Sequence, residues 1–342
     1  MPKLAVIRFR VYLAFYESEF VRSLLHRIWV AITNPRRIVQ KILEKLGHAN
    51  RIEKRKLSPV TVPIKTPSSA NPSLPIVFIH WSNSDYLKYS FAQARKSNPG
   101  STIYFLSDFS DRTLNCVEHL SLFDYFHEAA EFKNAYKHYS TNGFDYELIN
   151  FQRWFILKDF LIVNKLQRCL YLDSDTMLYA DVTEDSKKFE NFDFTLSQMT
   201  SGCTFFLNRV EGLSDFCNFL LDMYTRKDKY HYDKMVAHFT ARRMNRLPGG
   251  VCDMTAFQLY NELHFGEIGE ASQIINGSVY DPAITCPVPG FEMANGIKKI
   301  IWKEGIPYGK HVRTGREIKF NSLQFQGRTK HLMSQYYTGN LD

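Results

Sequence analysis

Arg168-Cys-Leu-Tyr-Leu-Asp173-Ser-Asp175-Thr-Met-Leu-Tyr179 is the stretch on which the reading of this 342-residue chain turns. Cys169 to Leu172 is an unbroken apolar run, bounded by Arg168 on one side and by acid on the other. A short continuous run of aliphatic and aromatic residues predicts a buried parallel strand. It ends in two carboxylates separated by one small residue. In an open α/β sheet, ligands sit just beyond the carboxyl ends of the strands. Two hard oxygen donors at i and i+2 can lean there on one divalent cation, which keeps waters and shares the phosphate oxygens of a substrate.

Working outward, the preceding segment Tyr146 to Lys165 predicts a long helix, with Ile149, Trp154, Leu157, Phe160, Leu161 and Val163 on its core face. Further upstream, Ile76 to Trp81 reads as a strand and Ser84 as the N-cap of a helix to about Lys96. Asn98-Pro-Gly stops that helix, and Thr102 to Asp108 reads as a second strand. Strand, helix, strand in this span is a βαβ unit, hence a parallel sheet. The absence of G-x-G-x-x-G argues against a dinucleotide fold. Phe123 to His127 reads as a further short strand. Downstream, Phe192 to Leu196 and Cys203 to Asn208 read as strands and Leu213 to Met223 as a helix. Residues 225–247 are charged and carry no clear period.

Gly249-Gly250-Val-Cys-Asp253-Met follows. Paired glycines permit close backbone approach to a ligand, and Asp253 reads as the N-cap of a helix to about Leu263. In the last third, Ile300 to Trp302 and Glu317 to Phe320 read as hairpin-like strands around a basic loop with Lys310, His311, Arg313 and Arg316.

Composition sets the outer bounds. Apolar residues make up 44% of the chain and charged residues 23%, the proportions of a globular protein. Of the 43 Lys and Arg, 13 fall in residues 1–56 against 4 of the 35 Asp and Glu, which leaves the remainder balanced at 30 against 31. The basic character belongs to an appendage, and the body is not expected to bind nucleic acid. Within residues 1–56, Leu13, Tyr16, Phe20, Leu24, Ile28 and Ile32 recur at helical spacing beside Arg22 and Arg27. This predicts a basic amphipathic helix able to lie on an anionic membrane surface. No membrane-spanning run or signal peptide is read there. Residues 57–74 read as a Pro-rich linker, leaving one domain over 75–342. The six cysteines form no C-x-x-C pair and read as free thiols in a reducing compartment. A cytoplasmic protein, peripheral at the membrane, is the expectation.

Asp173-Ser174-Asp175 after a Leu-Tyr-Leu strand resembles the Asp-x-Asp motif of nucleotide-sugar glycosyltransferases of the GT-A type. Two further segments extend the resemblance from about Leu74 to the C-terminus. Gly-Gly-x-x-Asp-Met at 249–254 is similar to the segment lining the acceptor side of the GT-A cleft. Leu323-Gln324-Phe325-Gln326-Gly327-Arg-Thr-Lys330 resembles the His-Phe-x-Gly-x-x-Lys closing motif of glycogenin-like transferases. The resemblance implies a GT-A-like α/β fold, a mixed Rossmann-type sheet flanked by helices. It implies hexose transfer from a nucleotide-diphosphate sugar, of the UDP type, to a glycan or lipid-linked acceptor.

By that resemblance Asp173 and Asp175 hold Mn²⁺ or Mg²⁺. His80, Trp81, Asp108, Arg153 and Ser174 lie on the nucleotide-sugar side, and Gly327 and Lys330 wrap the diphosphate. Gly249 and Gly250 line the acceptor. Asp253 serves as base in an inverting enzyme, or orients the acceptor or steadies a cationic sugar in a retaining one. The chain departs from the pattern at Gln324, which stands where the family places a His as third metal ligand. An amide oxygen still coordinates a hard cation, although imidazole suits manganese-like ions better. That departure leaves a nucleotide-sugar-binding pseudoenzyme as the alternative. A phosphatase of the haloacid dehalogenase type fits less well. It needs Thr or Val where Met177 stands, and its motif follows the first strand of the sheet.

Overall fold

A computed structural model describes residues 73–109 and 116–339. The helix read at 1–56 and nearly all of the linker lie outside the described residues. Leu74, the linker's last residue, is already buried, and its N–H donates to Thr183 Oγ1 at 3.0 Å.

The first half runs β1 (Ile76–His80), α1 (Leu87–Ser97), β2 (Ile103–Ser107), β3 (Glu118–Ser121), α2 (His127–Ala135), α3 (Phe144–Val163), β4 (Cys169–Leu172), β5 (Thr176–Leu178) and α4 (Val182–Ser186). The second half runs β6 (Phe194–Leu196), β7 (Thr204–Leu207), α5 (Val210–Tyr224), α6 (Lys229–Met244), α7 (Asp253–Asn261), β8 (Ile268–Glu270), β9 (Ser278–Tyr280), β10 (Met293–Ala294), β11 (Ile297–Lys298), β12 (Ile300–Lys303), β13 (Ile306–Lys310), β14 (Glu317–Gln324) and α8 (Met333–Tyr336).

Seven strands form the main sheet in the order β3-β2-β1-β4-β7-β6-β8. β1 pairs in parallel with both β2 and β4, as the βαβ reading requires, while β7 runs antiparallel between β4 and β6. This is the mixed α/β sheet flanked by helices that the sequence implied. Side chains alternate across it. Val77, Ile79, Cys169, Tyr171, Phe205 and Leu207 enter one buried cluster with α3 and α5. Ile76, Phe78, Leu170, Leu172 and Phe206 enter another with α1 on the opposite face. A strand covered on both faces needs apolar residues at every position, which is why Cys169–Leu172 shows no alternation. On α3 the predicted core face is realised at Trp154, Leu157, Phe160 and Leu161, but Val163 is exposed at the C-terminal end.

A second sheet, β12-β13-β14-β5, with β9 beside β14, packs a third apolar cluster around Phe320, Leu323 and Phe325. The two sheets meet at the acidic turn, because β4 and β5 lie on either side of Asp173-Ser174-Asp175. β14 pairs antiparallel with β5, placing Gln324 opposite Thr176.

Four local expectations are corrected. Phe123 to His127 is no strand: Ser121 accepts a bond from the Phe123 N–H at 3.3 Å, opening a 3-10 turn, and α2 starts at His127. Residues 225–247 are not irregular, since α6 forms with Asp228 as its cap and Tyr232 and Met235 buried. Tyr232, Met235, Val236 and Phe239, at i, i+3, i+4 and i+7, form a short core-facing stripe among the charged residues. Ser84 does not cap α1, which starts at Leu87, and its hydroxyl instead lies 3.3 Å from His80 Nε2. Cys252, not Asp253, is the N-cap of α7, so Asp253 is the first helical residue.

Candidate active site

The site starts from strand periodicity. Side chains two apart on β4 share a face, so Tyr171 and Asp173 both point toward α3. There Arg153 meets them. Its Nη1 donates to Asp173 Oδ1 at 2.6 Å and to the Tyr171 hydroxyl at 3.1 Å, and that hydroxyl donates to Asp173 Oδ1 at 3.0 Å. The other guanidinium nitrogen, Nη2, donates to Asp253 Oδ2 at 2.6 Å. Burial works against the charge on Arg153, but Asp173, Tyr171 and Asp253 outweigh it and raise its pKa well above the ordinary value.

Asp253 is 3% exposed and fully engaged. Oδ2 also accepts from Trp154 Nε1 at 3.1 Å, and Oδ1 accepts from the Met254 N–H at 2.9 Å. Oδ2 is thus directed to Arg153 and Trp154, while Oδ1 accepts from the backbone alone.

Asp175 is held from the closing segment. Gly327, at φ +60°, opens a 3-10 turn over Gly327–Leu332 that returns Lys330 to the acidic turn. Lys330 Nζ lies 3.2 Å from Asp175 Oδ2 and 3.4 Å from the Tyr86 hydroxyl. Burial, reinforced by Asp173 and opposed by Lys330, raises the Asp175 pKa to about 6. On the far side, Gln324 Nε2 approaches Asp173 Oδ2 at 3.4 Å.

Ser174 faces β1, its hydroxyl 3.0 Å from His80 Nδ1 and 3.4 Å from the Tyr86 hydroxyl. Burial, then Lys330, lowers the His80 pKa to about 4, so the imidazole is neutral at pH 7. An open cavity of about 480 Å³ adjoins this cluster, lined by Ser84, Asp85, Tyr86, Tyr89, Lys330 and His331 among others. Its volume falls within the range of small-molecule sites.

The structure thus brings together Asp173, Asp175, Ser174, Arg153, His80, Gln324, Lys330 and Asp253. Asp108 Oδ1 accepts from the Ser82 N–H at 2.6 Å and fixes the turn after β1, while Trp81 packs edge-on against Phe123. At Gly250 the close backbone approach is made to the chain itself: a Cβ there would lie 2.2 Å from the Tyr139 carbonyl oxygen. Gly249, at φ +79°, donates from its N–H to Thr141 Oγ1 at 2.8 Å.

Tyr171 and Tyr86 were missed. The period-2 rule from Asp173 identifies Tyr171 within the quoted stretch. Tyr86 had no such signal, because only the return of Lys330 brings it into play.

The residues present fit a divalent cation. Three carboxylates face two cationic side chains here, and burial, then Asp173, raises the Asp175 pKa despite Lys330. The donors are hard oxygens, with Gln324 able to present its amide oxygen by rotating the amide half a turn. Among the described residues, no group of three or more His, Cys, Asp and Glu converges as a ligand set.

No protein-family model matches the chain, and no curated protein matches it. Solved structures do. The galactosyltransferase LgtC in complex with donor and acceptor sugar analogs is 13% identical, over 61% of this chain and 76% of that one, with a TM-score of 0.32. An active-site mutant of LgtC is 11% identical, over 79% and 98%, with a TM-score of 0.39. The bifunctional glycosyltransferase WbbM is 10% identical, over 64% of this chain and 41% of that one, with a TM-score of 0.35. At such scores the superpositions decide nothing about this chain, and the mixed sheet itself carries the fold assignment.

Proposed function

We propose that the protein is a glycosyltransferase that moves a hexose from a nucleotide-diphosphate sugar, of the UDP type, to a glycan or lipid-linked acceptor. The observation that carries this reading is the convergence of Asp173, Asp175, Gln324 and Lys330 beside an open cavity, at the carboxyl end of a buried strand. Asp173, Asp175 and Gln324 are the residues that would hold Mn²⁺ or Mg²⁺. When bound, such an ion supplies Lewis-acid stabilisation of the leaving diphosphate.

The chain's own residues do the rest. Lys330 presents a point charge at the phosphate side, where negative charge grows as the leaving group departs. Neutral His80 and Tyr86 hold Ser174 at the turn. Arg153 fixes the orientation of Asp173 by occupying Oδ1, so that Oδ2 is the oxygen offered toward Gln324. Asp253 acts on this arrangement through Arg153. The segment Gly249–Gly250, pinned to residues 139–141, sets where α7 begins and thereby where an acceptor would be met. The basic segment 1–56 is proposed to give peripheral contact with an anionic membrane; no described helix is long and apolar enough to cross one.

The test is a donor screen with the purified chain and Mn²⁺, following release of nucleoside diphosphate. Turnover of one nucleotide sugar supports the enzyme reading. Binding without turnover of any donor supports the second reading, a nucleotide-sugar-binding pseudoenzyme, which the presence of Gln324 in place of His favours.

A further inference from the structure

Beneath Gln324 lies a charge pair that the proposed chemistry does not use. Lys298 Nζ sits 2.5 Å from Asp281 Oδ1, and both side chains are wholly inaccessible to solvent. Lys298 Nζ also donates to the Ala283 carbonyl at 2.7 Å. The second carboxylate oxygen, Asp281 Oδ2, accepts from the backbone N–H of Gln324 at 3.1 Å. The Gln324 carbonyl accepts from the Ile284 N–H at 2.8 Å, and the Ile284 carbonyl in turn accepts from the Lys298 N–H at 2.8 Å.

A buried ion pair is a poor source of stability. Desolvation of the two charges offsets their attraction, and apolar side chains of similar volume commonly serve as well or better. The pair can, however, do something an apolar pair cannot. Here that is acceptance of one particular hydrogen bond. β14 ends at Gln324, and β9, which pairs with β14, reaches only Tyr280. The Gln324 N–H therefore lies past the last β9 partner, and Asp281 takes the place of a strand carbonyl. Lys298 pairs with Asp281 Oδ1 and fixes the orientation of the carboxylate, leaving Oδ2 for the Gln324 N–H. The side chain that leaves this anchored backbone is the one 3.4 Å from Asp173 Oδ2.

We infer that the Asp281–Lys298 pair is a positioning device for Gln324, setting the amide against the Asp173–Asp175 turn and thereby the cation affinity of the site. The inference rests on the reading of that turn as a metal site. Groups that orient a metal ligand from behind change affinity by about 10–100-fold when lost.

The test compares two double variants of the full chain. Asp281→Asn/Lys298→Met removes both charges but leaves a side-chain oxygen for the Gln324 N–H. Asp281→Leu/Lys298→Met also removes both charges and leaves no acceptor. Mn²⁺ binding is read by electron paramagnetic resonance of free MnCl₂, with and without UDP, and folding by thermal denaturation. The first variant is expected to bind Mn²⁺ within about threefold of the wild type, and the second to bind at least ~10-fold more weakly. That loss should disappear in a Gln324→Ala background, since the device acts only through Gln324. If the apolar pair does not fold, Asp281→Ala/Lys298→Met carries the same comparison. Equal Mn²⁺ affinity in all folded variants, whatever their melting temperatures, overturns the inference alone. Absence of Mn²⁺ binding in the wild type overturns the metal reading and the inference with it.

Discussion

Arg153 and Asp253 are 100 positions apart in sequence and 2.6 Å apart in space, joined from Nη2 to Oδ2. The same guanidinium reaches Asp173 at 2.6 Å through Nη1. A planar fork with fixed donors can hold two carboxylates at a set angle, which an ammonium cannot. α3, β4 and α7 are tied together at this one group.

Removing the fork should therefore cost stability as well as activity. Arg153→Met leaves two carboxylates without their partner, and a buried charge left unpaired costs about 3–5 kcal/mol. Arg153→Lys should recover part of the stability and little of the activity, because one ammonium cannot serve both acids in the same geometry. Urea denaturation and donor turnover on the two variants check this. A lysine variant with full activity would show that the two-pronged geometry is not needed.

Asp175→Asn should keep the fold and lose donor turnover by about 100-fold or more, the scale seen when one group stabilising transition-state charge is removed. Among the described residues, the side-chain partner given up is Lys330, at 3.2 Å on the rim of the cavity. Turnover in Mn²⁺ near the wild-type rate would remove Asp175 from the metal.

Gln324→His places an imidazole where the amide nitrogen now lies 3.4 Å from Asp173 Oδ2. Imidazole binds manganese-like ions better than an amide oxygen. The half-saturating Mn²⁺ concentration for donor turnover should fall in this variant. An unchanged value would mean that residue 324 is not at the cation, and that Gln326 or a water completes the shell.

Gly250→Ala tests the docking of the segment before α7. The added methyl would lie 2.2 Å from the Tyr139 carbonyl oxygen and 2.5 Å from the Ser140 Cα, both backbone atoms that cannot swing aside. Overpacking of this kind costs about 1–3 kcal/mol. At Gly143 the nearest such contact is the Tyr146 Cβ at 3.9 Å, so Gly143→Ala carries only the cost of alanine at the N-cap of α3, about 1 kcal/mol. Thermal denaturation of the pair gives the comparison, and equal melting temperatures would refute the close approach.

Sequence alone determined what depends on neighbours along the chain. The run Cys169–Leu172 ending in Asp173 and Asp175 specified a doubly covered strand with acid at its carboxyl end. The spacing of Ile76, Asn98 and Thr102 specified a parallel βαβ unit. Both follow from short-range periods, and both are realised. Local signals failed where a second interaction competed for the same group. Ser84 has the chemistry of a cap but bonds to His80, and Asp253 has the chemistry of a cap but is drawn to Arg153 and Trp154.

Tertiary structure decided which of the polar residues meet. Gln324 reaches Asp173 because β14 pairs with β5 in one register, and a shift by one residue would turn its side chain to the opposite face of the sheet. Asp281 and Lys298, near neither motif, become part of the same arrangement because they lie beside the end of β14. A strand's period says which face a side chain takes, but not which strand lies next to it. That choice is made by burial of the Phe320–Leu323–Phe325 cluster as a whole, and it exists only once the chain has folded.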